Sequence, residues 1–125
     1  MISLSDGEWK LMNVLWHSPP RTITQLVAAL QEETGWSKHT VISMLGRLEQ
    51  KGAVRHEQGE RAKQFYPAIE QRQARREETE SFLARLYGGS LGLLLNTLAD
   101  SRGLSRQEVE ELQEILRRAK EEKDD

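Results

Sequence analysis

The sequence predicts a mainly α-helical protein with a small β-wing: an N-terminal winged helix-turn-helix followed by a C-terminal helical region. Three observations support this fold class. Apolar residues recur at helical spacing in three successive segments before residue 52. Two short strand-like segments then flank a glycine turn. The chain beyond Pro67 returns to helical patterns. We therefore expect one domain over residues 1–68 and a second, helical one over residues 69–125.

The first helix is marked by a capping signal and a stop signal. Ser5 and Glu8 are spaced as a capping box, in which each side chain accepts a hydrogen bond from the backbone amide of the other residue. A buried stripe is expected to follow at helical spacing: Trp9, Met12, Leu15 and Trp16. Pro19-Pro20 should end the helix, because proline disfavours helical backbone in the residue before it.

Two more helices are predicted before the wing. Residues 21–23 are expected to form a short strand, and a second helix should run from about Thr24 to a glycine exit at Gly35. The hydroxyl of Ser37 is a suitable cap for a third helix, which should end at Gly52. The order helix, short strand, helix, helix, hairpin is that of a winged helix-turn-helix.

The third helix separates an apolar face from a polar one when residues advance by 100°. Its apolar side chains are Val41, Met44, Leu45 and Leu48. Its polar strip consists of His39, Thr40, Ser43, Gly46, Arg47 and Gln50, with no carboxylate. Such a strip suits the major groove of DNA, because phosphate repels acids and one Arg can pair with guanine O6 and N7. The alternative is a strip that is merely solvated, and the neighbouring wing favours DNA.

The predicted hairpin carries cations around its turn at residues 58–60, and these should contact phosphate or an adjacent minor groove and so fix the register. Glu57 and Glu60 lie in the same hairpin and reduce its positive charge. The full set of expected DNA-binding residues is Lys38, His39, Thr40, Ser43, Arg47, Arg55, Arg61 and Lys63.

The net charge of −2 is unusual for a DNA-binding protein, but the charge is unevenly distributed. Residues 1–76 hold 11 Lys and Arg against 8 Asp and Glu, whereas residues 77–125 hold 7 against 12. A basic front and an acidic back suit a protein that presents one end to an anion. Because the cations are few, one protomer should bind weakly, and a dimer on a palindromic site would double the contacts.

The C-terminal region offers the surface for such a dimer. The helix predicted around residues 91–98 is leucine-rich and too short to bury its leucines by itself. The apolar stripe of the last helix has the same problem, and a second copy of the chain could cover both. The alternative is that they pack back on their own winged domain. The expected dimerisation residues are Leu91, Leu94, Leu95, Leu98, Leu112, Ile115 and Leu116.

Several stretches carry a family resemblance, and their order and spacing together are specific. They are Glu8-Trp9 to Leu15-Trp16, residues 36–41 with Arg47-Leu48 and Lys51-Gly52, Tyr66-Pro67, residues 87–90, and Leu104-Ser105 to Glu108 with Glu111-Leu112. In these the chain resembles the BlaI/MecI/CopY family of bacterial repressors over nearly its whole length. The resemblance implies a homodimer on a palindromic operator with TACA/TGTA-type half-sites, controlling antibiotic-resistance or stress genes. It places base reading on Thr40, Ser43 and Arg47.

Two departures from the family concern the inducing signal. The copper-responsive branch uses a C-terminal cysteine cluster, and this chain has no cysteine, which excludes copper sensing of that kind. The β-lactam-responsive branch is cleaved by a membrane sensor-protease, typically between Asn and Phe. The corresponding pair here is Asn96-Thr97, in which only the first residue matches. The resemblance thus implies a candidate cleavage site and a candidate membrane partner.

Other classes of function have less support. The three histidines fall on three different elements, without the spacing of a metal site or a catalytic triad, so we expect no enzyme, metal or cofactor. No apolar run approaches the length of a membrane span, and the start lacks the pattern of a signal peptide, which together predict a cytoplasmic protein. Two rivals stay open: a winged-helix protein-interaction module and a small-molecule-responsive winged-helix regulator.

Overall fold

The computed structural model describes residues 2–124 and divides the chain into two compact units, residues 1–80 and residues 81–125. The elements in chain order are α1 (Asp6–His17), α2 (Ile23–Thr34), α3 (Lys38–Lys51), β1 (Val54–Gln58), β2 (Lys63–Pro67), α4 (Gln71–Tyr87), α5 (Leu91–Ser101) and α6 (Arg106–Asp124). The predicted fold class is confirmed: a mainly helical chain with a small β-wing.

Side-chain caps begin the first three helices where the sequence predicts them, or within a residue or two. The Ser5–Glu8 capping box starts α1 and a second box, from Thr22 to Gln25, starts α2. Ser37 Oγ accepts the Thr40 amide hydrogen at 3.2 Å and starts α3. At the other end of α3, Gly52 takes a left-handed conformation with φ of 82°, which costs glycine least.

The wing is an antiparallel pair with a third, single-residue partner. β1 and β2 pair from Val54 opposite Pro67 to Gln58 opposite Lys63. The predicted strand over residues 21–23 is wrong in extent. Only Arg21 forms a bridge, exchanging two backbone hydrogen bonds with Phe65 of 3.1 Å and 2.8 Å. Thr22 is already the cap of α2, because its hydroxyl bonds the backbone there and ends the extended pairing.

One apolar core joins α1, α2, α3 and the base of the wing. Its fully buried large apolar side chains are Leu11, Met12, Leu15, Leu26, Leu30, Val41, Leu45 and Leu48. From the wing, Phe65 and Val54 close this core. The predicted α1 stripe holds for Met12 and Leu15, whereas Trp9 and Trp16 are only partly buried at the core's edge. Leu11 takes the buried place that the sequence analysis gave to a tryptophan.

The two tryptophans of α1 connect the core to the chain that leaves the wing. Their ring centroids lie 5.8 Å apart. The indole N–H of Trp16 donates to the backbone carbonyl of Ile69 at 2.9 Å, which fixes the segment before α4 against α1. The third tryptophan, Trp36, packs against the same core from the loop before α3.

The second unit has a different character. Among residues 81–123 no side chain is buried, and five large apolar residues are at least half exposed: Leu86, Leu91, Leu93, Ile115 and Leu116. Polar contacts between neighbouring residues stabilise this unit locally. Arg102 donates two hydrogen bonds to Glu108, which with the Ser105 cap lowers the pKa of Glu108 to about 2.

A charged side chain lies inside the first unit. Glu8 is 2% exposed, and its Oε1 accepts from the Ser5 amide at 2.8 Å and from Lys51 Nζ, at the end of α3. The same ammonium also donates to the Ser3 carbonyl at 2.8 Å. Burial alone raises the pKa of Glu8, but hydrogen bonds from Lys51 and Ser5 and the Lys51 charge outweigh burial and lower it. The pair thereby joins the start of α1 to the end of α3.

Acid should destabilise the first unit through Glu8. Since its folded-state pKa lies below that of the unfolded chain, its stabilisation is complete above about pH 4.5 and is lost as pH falls further. Glu8→Gln keeps an acceptor for the capping box and removes the charge. We expect this substitution to lower the free energy of unfolding by about 2 kcal/mol at neutral pH. The dependence of stability on pH should become flatter.

Urea unfolding at a series of pH values from neutral to about 3 measures both effects. Glu32→Gln, at an exposed position of α2, is the control and should follow the wild-type curve. Parallel curves for the wild type and Glu8→Gln would contradict the assignment.

Candidate nucleic-acid interface

The third helix, α3, is held by one face and free on the other. Val41, Met44, Leu45 and Leu48 are buried in the core that α1 and α2 complete. The opposite strip carries the residues predicted to face DNA, and five of its members are exposed: His39, Ser43, Gly46, Arg47 and Gln50. The polar strip therefore lies at the surface on a rigidly packed helix.

Thr40 occupies a special place in this strip. It is half-buried, and its Oγ1 lies 3.1 Å from Oγ of Ser37, the residue that caps α3. Its hydroxyl is thus oriented by the cap, while the rest of the side chain stays at the edge of the strip. A hydroxyl with a fixed neighbour is better organised for contact than a freely rotating one, because less rotamer entropy remains to be lost.

The central cation of the strip has no partner. Arg47 makes no hydrogen bond or ion pair with any residue in the described range 2–124. Within the same range Lys38, at the start of α3, is also unpaired. Their charges are therefore available to an external anion.

The wing cations divide into two kinds. Arg61 and Lys63 are exposed and form no ion pair within the described chain. Arg55 is engaged: its Nη1 lies 2.9 Å from Glu57 Oε1, and its guanidinium carbon lies 4.2 Å from the centre of the Tyr66 ring. A phosphate contact by Arg55 would compete with Glu57, so its contribution should be smaller than that of its two neighbours.

A link between α3 and the wing was not foreseen from the sequence. His56 Nδ1 on β1 lies 2.9 Å and 3.0 Å from the two carboxylate oxygens of Glu49 on α3. The imidazole also packs against Phe65, with ring centroids 5.6 Å apart. The sequence did not predict this contact, because nothing in the local pattern indicates which side chains meet across Gly52.

The predicted dimerisation residues all lie in the second unit and keep part of their surface exposed. On α5, Leu91 is exposed and Leu94, Leu95 and Leu98 are half-buried. On α6, Leu112 is half-buried, and Ile115 and Leu116 are 50% and 58% exposed. The candidate cleavage pair is exposed on α5, and the Thr97 hydroxyl donates to the Leu93 carbonyl at 2.9 Å.

Other kinds of site are not apparent in the described residues. Residues 2–124 contain no group of three or more His, Asp or Glu side chains placed to hold a metal ion. Within that same range, the helices are all too short or too polar to cross a bilayer.

Comparison with known proteins identifies the family. The family model for the penicillinase repressor matches residues 4–118. The penicillinase repressor of Bacillus licheniformis is 31% identical over 113 residues, which cover 90% of this chain and 88% of that protein. The methicillin resistance regulatory protein MecI of Mammaliicoccus sciuri is 26% identical over 113 residues, covering 90% and 92% of the two chains.

A solved structure extends the comparison to DNA. The monomeric form of Bacillus licheniformis BlaI in complex with the blaP half-operator matches with a TM-score of 0.50 and 30% identity. The match covers 55% of this chain and 84% of that chain. The shared portion is thus about the size of the winged helix.

Gly46 gives a test of whether the strip needs close approach. An added Cβ at Gly46 would meet no atom within 4 Å, so alanine fits the folded chain without a clash. We expect Gly46→Ala to raise stability by about 1 kcal/mol, or roughly 4–8 °C in Tm, because glycine is a poor helix former. If the strip faces DNA closely, the same variant should bind DNA more weakly.

Differential scanning fluorimetry and DNA titration measure the two effects. Gln31→Ala, on the exposed surface of α2, is the control that improves helix propensity outside the strip, and it should leave DNA binding unchanged. A Gly46→Ala protein that is more stable and binds DNA as tightly as the wild type would argue against close approach.

Proposed function

This chain belongs to the penicillinase repressor family, whose members are DNA-binding transcriptional repressors and not enzymes, and from this premise we propose that it acts as a homodimer on a palindromic operator. Each protomer would insert α3 into the major groove and place its wing on the adjacent backbone. Half-sites of the TACA/TGTA type, about one helical turn apart, suit this arrangement. Because it would act on an operator in DNA, we place the protein in the cytoplasm.

The observation that carries the proposal is the exposed strip of α3. It contains Arg47 without an internal partner, small side chains at Ser43 and Gly46, and no carboxylate. The single acid of the helix, Glu49, is bound by His56. A strip of this kind would allow close approach to base edges, and Arg47 would pair with a guanine.

The number of free cations favours two copies on one operator. Lys38, Arg61 and Lys63 are the unpaired cations beside the strip in the described residues. Three phosphate contacts give modest affinity, and a dimer doubles them to about six, which predicts a log–log salt slope of about −5. The BlaI structure, a monomeric form on a half-operator, supports one protomer on each half-site.

The second unit supplies the surface for the second copy. Its apolar side chains on α5 and α6 are exposed or half-buried in the single chain, so that covering them removes apolar surface from water. An identical partner is the simplest cover, because a two-fold interface uses the same patch twice.

Release of the operator has a candidate mechanism in α5. Cleavage at Asn96-Thr97 by a membrane sensor-protease would cut the helix that carries Leu94, Leu95 and Leu98, and so would weaken the dimer. Both residues of the pair are exposed. The peptide bond lies within a helix, so the helix must open locally before a protease can hold it in an extended form. Antibiotic-resistance or stress genes are the targets that fit this signal.

Arg47 provides the first test. Titration onto the DNA upstream of its own gene, at several salt concentrations, should show specific binding that weakens steeply with salt. Arg47→Ala should lose about 1–3 kcal/mol of discrimination at one base position. Arg61→Ala is the matched control: it should weaken binding to all sequences alike and reduce the salt slope by about 2 per dimer.

Wild-type affinity of Arg47→Ala for the operator would place α3 outside the groove. If the wild type finds no DNA site, the proposed function fails and the protein-interaction module becomes the better account. Release of the operator by a small ligand, without cleavage, would favour the small-molecule-responsive regulator.

Leu116 provides the second test. Leu116→Lys places a charge on the exposed apolar stripe of α6, where burial against a second copy would become unfavourable. We expect a monomer by light scattering and at least tenfold weaker operator binding. Glu110→Lys, at a side chain 65% exposed on the opposite side of α6, is the control and should remain dimeric. A Leu116→Lys dimer would indicate that this stripe is not the interface.

A further inference from the structure

One apolar side chain lies exposed on α3 among polar neighbours. Ile42 is 42% exposed, whereas the four apolar residues on the inner face of α3 are at most 6% exposed. An isolated exposed isoleucine is common on protein surfaces and by itself signifies little. Ile42 is of interest because it borders the polar strip, next to His39 and Gly46.

Gly46 lies one helical turn after Ile42 on the same side of α3. Residues four apart on a helix lie on the same side, so Ile42 and Gly46 face the same surface of α3. An added Cβ at Gly46 would meet no atom within 4 Å. Ile42 and the open surface at Gly46 therefore form an apolar ledge, which we call the Ile42 ledge.

The next residue along this side is Glu49, whose carboxylate would repel DNA if it were free. Its two oxygens lie 2.9 Å and 3.0 Å from His56 Nδ1 of the wing. The acid is thus held toward β1 rather than over the ledge. The surface that this side of α3 offers to a groove is accordingly apolar in its middle, with polar groups at both ends.

We propose that the Ile42 ledge receives the C5-methyl group of a thymine and so sets sequence preference at one position of each half-site. This inference rests on the proposed docking of α3 in the major groove. In that groove thymine alone among the four bases presents a methyl group, and an apolar side chain recognises it without a hydrogen bond. Arg47 would then read a guanine, while Ile42 reads a thymine through burial of apolar surface.

Replacement of thymine by deoxyuridine isolates the methyl group, because base pairing is retained. The test uses the full chain and its operator duplex, with each thymine of one half-site replaced in turn. At one position the wild type should bind about fourfold more weakly, the fold-change expected for one buried methyl group. Ile42→Ala should bind the unmodified operator several-fold more weakly and should show no further loss at that position.

Gln50→Ala is the matched control, since Gln50 is exposed on the polar strip of the same helix. Whatever its own affinity, it should retain the deoxyuridine penalty. Ile42→Val, which keeps a branched apolar side chain, should recover much of the penalty that Ile42→Ala abolishes. Circular dichroism of each variant tests whether the total helical content is unchanged.

The remaining outcomes separate this inference from the proposed function. If the wild type binds its operator but every deoxyuridine substitution affects it and Ile42→Ala equally, the ledge does not read thymine and the repressor assignment stands. If Ile42→Ala binds the operator like the wild type, Ile42 is not a DNA contact, which overturns the inference. If the wild type binds no operator, both proposals fail together.

Discussion

The burial of one face of α3 is the constraint on which the rest of the first unit depends. Val41, Leu45 and Leu48 are fully or almost fully removed from solvent, and they fix the rotation of the helix about its axis. A helix held by such packing presents its opposite side in one orientation, because a small rotation would expose several apolar groups at once. The packing of the core, and not contacts among the surface side chains, therefore sets the positions of the residues on that side.

Polar contacts refine this arrangement at the C-terminal end of α3. The pair of Glu8 and Lys51 ties its last turn to the cap of α1, and the pair of Glu49 and His56 ties its outer flank to the wing. Arg21 and Phe65 in turn bridge the wing to the chain between α1 and α2. These three links fix α3 and the wing relative to each other. A ligand contact made by α3 therefore constrains where the wing can bind.

Much of this architecture was predictable because it depends on local signals. The caps at Ser5 and Ser37 and the exit at Gly52 follow from residue chemistry within a single turn, and helical spacing separated the two faces of α3. The residues of the polar strip were therefore identified from spacing alone. In the structure five of the six are exposed and Thr40 is half-buried. The strand predicted over residues 21–23 was too long because Thr22 and Gln25 form a capping box that starts α2. Their spacing is a local signal that could have placed the start of this helix.

Contacts between different elements explain what the sequence did not reveal about the surface. The bond between Glu49 and His56 forms across a turn, and their spacing of seven residues has no meaning until β1 is placed. Helical spacing also does not measure how deeply each residue is buried: Leu11 lies in the core and Trp9 at its edge. In the second unit the spacing identified the apolar residues of α5 and α6. It does not specify which surface covers them.

The position of the tryptophans has a consequence for spectroscopy. All three, Trp9, Trp16 and Trp36, belong to the first unit, and none lies beyond residue 80. Intrinsic indole emission therefore reports the winged half alone, while Tyr87 is the only aromatic residue other than phenylalanine in the other half. Melting followed by indole emission and melting followed by far-ultraviolet dichroism would coincide only if the two halves unfold together. The chain thus carries its own optical label for measuring how strongly its two halves are coupled.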